Sequence, residues 1–270
     1  MTGGRISVFF FLQGLSNISL TLQLKMVYQQ IMDTFLSFPE HRVAPVENGC
    51  GQGCVQMILS KFEGQDETVD TLNQICGVKV EGAFSSTLDI ANGMVGRGYD
   101  VVRISDIPSR ELYQDPRKFM KCVGFDPGED SPIIEARRRS ASIFFDNVSA
   151  GKIIEHVKSP DTGDIHNYLA EGYGLIAWVN SRGLAGDFTR TSGHYVVPLK
   201  VSDSDIFFHD PGGFDDDLGQ IYGVSSKACK DFFEKAMQYP SAAGLNSETG
   251  LPRRMGLLAF YPGADFSPGR

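Results

Sequence analysis

Apolar positions follow a helical period in the first half of the chain and a strand-like one in the second. Val55, Ile58, Leu59 and Phe62 lie one, four, five and eight residues after Cys54, which is one face of a helix that Gly64 stops. Residues 66–78 and 86–98 carry two more helical patterns, ending near Gly77 and Gly98. Upstream, Met26, Ile31, Phe35 and Leu36 suggest a helix over 26–38, and Pro39, Pro45 and Gly49 mark an irregular loop before Cys50. Val101 to Ile104 reads as a short strand. Residues 105–160 hold Pro108, Pro116, Pro127 and Pro132, and read as a mixed helical and loop insertion with Arg137, Arg138 and Arg139 on a solvated face.

Beyond this region Asp164 is placed to N-cap a short helix that stops at Gly172. Residues 174–179 are a buried strand, 194–201 another, and the turn at 202–205 leads into I-F-F-H-D, a hairpin closed off by Pro211-Gly212-Gly213. Ser225 is placed to cap a helix through Met237, and Met255 to Tyr261 reads as a last strand. Helices first, then a mainly antiparallel sheet, is an α+β order and not an alternating βαβ one.

Composition narrows this picture. The 270 residues, 41% hydrophobic and 21% charged, suit one globular domain with a sizeable core. We expect that domain over 41–270, with 1–40 as an N-terminal extension. A net charge of -8 repels phosphate backbones, so general nucleic-acid binding is not expected. Five scattered cysteines (Cys50, Cys54, Cys76, Cys122, Cys229) make no disulfide framework, and an odd number leaves at least one thiol free or paired outside the chain. The run I-S-V-F-F-F-L at 6–12 is far short of a membrane span. It reads as a weak signal peptide, an amphipathic helix, or the result of an upstream start, with Met26 or Met32 as the candidate true start. The cytoplasm is the expected location, with secretion the alternative if the run is a signal.

The chemistry centres on Cys50, between Asn48-Gly49 and a predicted helix. A thiol at a helix N-terminus feels the positive end of the macrodipole, which favours the nucleophilic thiolate. His194 opens one hairpin strand and Asp210 ends the next. They stand sixteen residues apart, and pairing centred on residue 202 sets them face to face. That is the arrangement a general base and its orienting carboxylate need. Successive strand residues alternate faces, so His209 points away and reads as structural or surface. A zinc site from Cys50, Cys54, His194 and His209 is chemically sensible, but His209 faces the wrong way for it. No metal or cofactor is expected.

These residues sit in three blocks: C-G-Q-G-C-V-Q-M at 50–57, G-H-Y-V-V at 193–197 and D-P-G-G at 210–213. In this order they resemble the double-glycine leader peptidases, the papain-like cysteine peptidases that mature bacteriocins and related peptides. The resemblance covers 45–62 and 164–237 well and 66–160 loosely. It implies a papain-like fold, with N-terminal helices on a mainly antiparallel sheet, and a peptide or protein substrate. It also implies a Cys50 nucleophile, a His194 base and Asp210 as its partner, while Cys54 packs and does no chemistry. The family carries a glutamine six residues before the nucleophile as an oxyanion donor, where this chain has Ala44. Asn48 is the nearest amide to replace it, alongside the Cys50 backbone N–H. The transporter-fused members carry an ATPase, whereas this chain has no G-x-x-x-x-G-K-[ST] loop. The expected activity is therefore peptide hydrolysis through an acyl-enzyme. The alternatives are an acyl or peptidyl transferase with the same triad, or an inactive binding module of the same fold.

Overall fold

The computed structural model describes residues 49–78, 85–117, 131–184, 186–188, 193–212, 226–238, 256–264 and 266. The expected helix at 26–38, the extension 1–40, Ala44, Asn48 and Cys122 lie outside them.

The first described element, α1 (Cys50–Glu63), ends where predicted, at Gly64 with φ 69° and its N–H bonded to Ser60 O. Helix α2 (Val69–Ile75) starts late because Thr68 caps it, its hydroxyl accepting from Thr71 N–H. Helix α3 (Thr87–Gly96) opens with a capping box between Ser86 and Asp89. Strand β1 (Tyr99–Ser105) follows.

Residues 105–160 depart from the expectation of helix and loop alone. They hold α4 (Ser109–Gln114), α5 (Pro132–Ser149) and a strand, β2 (Ile153–Val157), which pairs parallel to β1. Arg103 is held between these elements, Nη1 donating to Glu155 Oε1 at 2.5 Å and Nη2 to Ile107 O at 2.9 Å. Glu155 also accepts from the N–H and hydroxyl of Ser109. The arginine run divides: Arg138 and Arg139 are exposed, whereas Arg137 pairs with Asp89 of α3.

Helix α6 (Thr162–Ala170) is capped by Asp161, not Asp164. Asp164 sits three positions on and reaches back to the Asp161 N–H, completing a second capping box. Next come β3 (Gly174–Asn180), the short α7 (Ser181–Leu184), β4 (Gly193–Val201) and β5 (Asp205–His209). The helix expected from Ser225 is preceded by a strand: β6 (Ser226–Cys229) leads into α8 (Lys230–Ala236). Strand β7 (Leu257–Pro262) is the last element.

The strands form one mixed sheet in the order β2-β1-β7-β3-β4-β5-β6, antiparallel except for the β1–β2 pair. Alternation splits the core in two. Tyr99, Val101, Ile176, Tyr195, Val197, Leu258 and Phe260 face the core that contains α1, α2, α3 and α5 residues. Val102, Ile104, Leu175, Ala177, Val179, Val196, Leu257 and Ala259 face a second core with α6, α7 and α8 residues. Helices therefore cover both faces of the sheet, in a mixed α+β architecture. Among the described residues no helix is long and apolar enough to cross a membrane.

Candidate active site

Cys50 is the first residue of α1, and no side chain caps the helix ahead of it. The first N–H groups of a helix have no partner four residues back, so this end presents donors and a partial positive charge. Two contacts hold the first turn in place. Gln52 Nε2 donates to Asn73 Oδ1 of α2 at 3.1 Å. Gly51 lies against Ser85, where a Cβ would run into the Ser85 side chain. The turn can approach the start of α3 only because that position has no side chain.

His194 is the second residue of β4 and pairs with Val179 of β3. Asp210 follows β5 directly. The hairpin is not centred on residue 202: its pairs are Val197 with His209 and Pro198 with Phe208, and the register shifts between Pro198 and Lys200. Continuing that register sets Asp210 level with Val196 and Gly212 level with His194. The expected face-to-face pairing is thus a diagonal one. The slip is two residues, so both side chains stay on one face of the sheet. His194 Nε2 and Asp210 Oδ1 lie 2.6 Å apart. His209 lies on the opposite face and is buried, so of the two expectations for it the structural one applies.

The electrostatics join Cys50 to this pair. Burial pushes the Cys50 thiol up. Its hydrogen bond to His194, the imidazolium charge, and backbone N–H bonds from Tyr195 and Gly51 outweigh that burial and hold it below the usual thiol value. Burial pulls His194 down, yet its bonds to Asp210 and Cys50 and their charges lift it to about 10. A lowered thiol and a raised imidazole are the directions that a thiolate–imidazolium pair requires.

The other described cysteines are unlike Cys50. Burial pushes Cys54 and Cys76 well up, and neighbouring negative groups add to the rise. Both are fully buried in the core under α1, and Cys229 is exposed. Among the described residues no three His, Cys, Asp or Glu side chains gather as a metal ion would require. Cys50, Cys54, His194 and His209 therefore form no ligand set.

Two participants were not foreseen from sequence. The Tyr195 N–H aimed at the Cys50 sulfur is main chain, which no residue type announces. The second is Gly212, whose N–H donates to Asp210 Oδ1 at 2.7 Å. Its signal was present in Asp210-Pro211-Gly212, since an aspartate readily bonds the backbone two residues on. Compared with known proteins, the chain matches no protein-family model and no curated sequence.

Proposed function

We propose that this chain is a cysteine peptidase of papain-like fold that cleaves a peptide bond through Cys50, His194 and Asp210. The observation that carries the reading is the 2.6 Å contact of His194 Nε2 with Asp210 Oδ1, next to a Cys50 thiol at a helix start whose pKa His194 lowers and which in turn raises that of His194. The helix that begins at the thiol and lies against the sheet bearing the histidine supports the papain-like assignment.

In the reaction the Cys50 thiolate attacks the scissile carbonyl carbon, and the C=O π electrons move to oxygen. Backbone N–H groups at the start of α1 stabilise that oxyanion. The tetrahedral intermediate collapses as the C–N bond breaks, and the leaving nitrogen takes the proton from His194. The acyl group remains on sulfur as a thioester. Water then gives a proton to His194 and attacks the thioester, and the sulfur leaves as thiolate with the acid released. Asp210 holds the imidazole in orientation and supports its charge throughout.

The test is Cys50 reactivity in the full-length protein. Iodoacetamide at slightly acidic pH should modify Cys50 well ahead of Cys229. Cleavage of a peptide mixture, followed by mass spectrometry, should disappear in Cys50→Ala and in His194→Ala. A Cys50 that is labelled no faster than Cys229, together with an inert wild type, would overturn the proposal.

A further inference from the structure

The Asp210 carboxylate does more than meet the histidine. Oδ1 accepts from two donors, His194 Nε2 at 2.6 Å and Gly212 N–H at 2.7 Å. The intervening Pro211 has no N–H, and it restricts Asp210 to an extended backbone, which continues the direction of β5. The Asp-Pro-Gly turn thus folds back on its own side chain. The carboxylate is fixed by the chain that carries it before the imidazole arrives.

Space at Gly212 makes a second point. A Cβ there would lie 2.8 Å from Asp210 Oδ1, 3.1 Å from His194 Cε1 and 3.3 Å from His194 Nε2. All three neighbours belong to the pair itself, so a methyl group would enter the His194–Asp210 contact. Gly212 is not among the glycines with positive φ, so its backbone conformation alone does not demand glycine. What it supplies is an N–H at one side of the carboxylate and an absence of volume beside the ring.

We infer that Gly212 is a positioning residue for the triad, acting through Asp210 to hold the His194 imidazolium; this rests on the cysteine-hydrolase reading. Its removal acts on protonation as well as on shape. A displaced or less firmly held carboxylate supports the imidazolium less, so the ion pair gives way to neutral thiol and neutral imidazole.

The experiment measures Cys50 alkylation by iodoacetamide against pH in wild type, Gly212→Ala, Asp210→Asn and the double variant, using the full chain. Gly96→Ala serves as a control, since a Cβ there meets nothing within 4 Å. Gly212→Ala should move the onset of alkylation up by about one pH unit, a roughly tenfold slower rate on the rising limb. In the Asp210→Asn background the same change should add less than about twofold, because the two act as one unit. A folded Gly212→Ala protein with the wild-type profile overturns the inference, as does full additivity with Asp210→Asn. A wild-type Cys50 that titrates as an ordinary thiol defeats the hydrolase reading instead.

A second measurement needs no variant. The Gly212 amide proton, bonded to a carboxylate that also holds His194, should resonate far downfield in the NMR spectrum and move as His194 loses its proton. An amide that does neither overturns the Gly212 assignment whether or not Gly212→Ala folds, and whether or not the protein is a hydrolase.

Discussion

Replacing Asp210 with asparagine keeps the shape of the side chain and removes its charge. An asparagine oxygen can still accept from His194 and from Gly212, so the change isolates electrostatics. The site is closed: the side chains of His194 and Asp210 are 14% and 2% exposed, so water screens little of what is lost. A hydrogen bond to a charged group is worth about 1.5–3 kcal/mol. At about 1.36 kcal/mol per pKa unit, the imidazolium weakens by about one to two units. From about 10 in the wild type, His194 falls to roughly 8–9 in the variant. The Cys50 thiolate depends on that same imidazolium, so its share falls with it. On the rising limb of the profile, alkylation should slow by about 10- to 100-fold. The assay follows the Cys50 adduct by mass spectrometry from about pH 4 to about pH 10, with circular dichroism to establish that the variant is folded. A folded Asp210→Asn protein that alkylates at the wild-type rate and with the wild-type profile would refute the reasoning, because the carboxylate would then not be supporting the imidazolium.

Three further outcomes follow from the same structure. Alkylation of wild-type Cys50 should set in below the usual thiol range of 9.0 and stay high, whereas peptide turnover should fall as pH passes about 10, because His194 then lacks the proton that the leaving amine needs; parallel alkaline losses of both would contradict this assignment. Cys54 and Cys76 should resist labelling in the native protein and react fully in denaturant, while exposed Cys229 reacts without it; native labelling of Cys54 would mean that α1 opens. Gly93→Ala should destabilise by about 1–3 kcal/mol despite alanine's better helix propensity. Its Cβ would drive into Ile75, 2.6 Å from the carbonyl carbon and 2.8 Å from Cα, so an unchanged or higher urea midpoint would count against the close packing of α2 on α3.

What the sequence revealed and what it hid divide along physical lines. Local signals worked where one turn of chain contains the whole cause: Gly64 ends α1 through its own left-handed backbone. Asp161 and Asp164 show the limit of that rule. A capping box uses an acidic group at both positions, so the pattern alone does not say which residue is the cap. Strands β2 and β6 were missed because each is short and lies at an edge, where a single buried face leaves little alternation to read. Arg137 looked like its exposed neighbours because its partner, Asp89, is remote in sequence. In the hairpin, turn composition located the bend but not the shift between Pro198 and Lys200. The face shared by His194 and Asp210 was still legible, since a slip of two preserves parity.

Strand β7 has a consequence for how the protein comes into being. It lies in the middle of the sheet, between β1 and β3, and is the only described strand that joins the β2-β1 pair to the ribbon from β3 to β6. On a ribosome that emits the chain from its N-terminus, β1 and β3 wait for residues 257–262 with their facing edges unpaired. The proposed nucleophile lies on α1, packed on the same core as β1, and its proposed base lies on β4, beyond β3. The two halves of the described sheet are thus registered against each other by strand β7, the last described one in chain order, and the alignment of α1 with β4 depends on its docking.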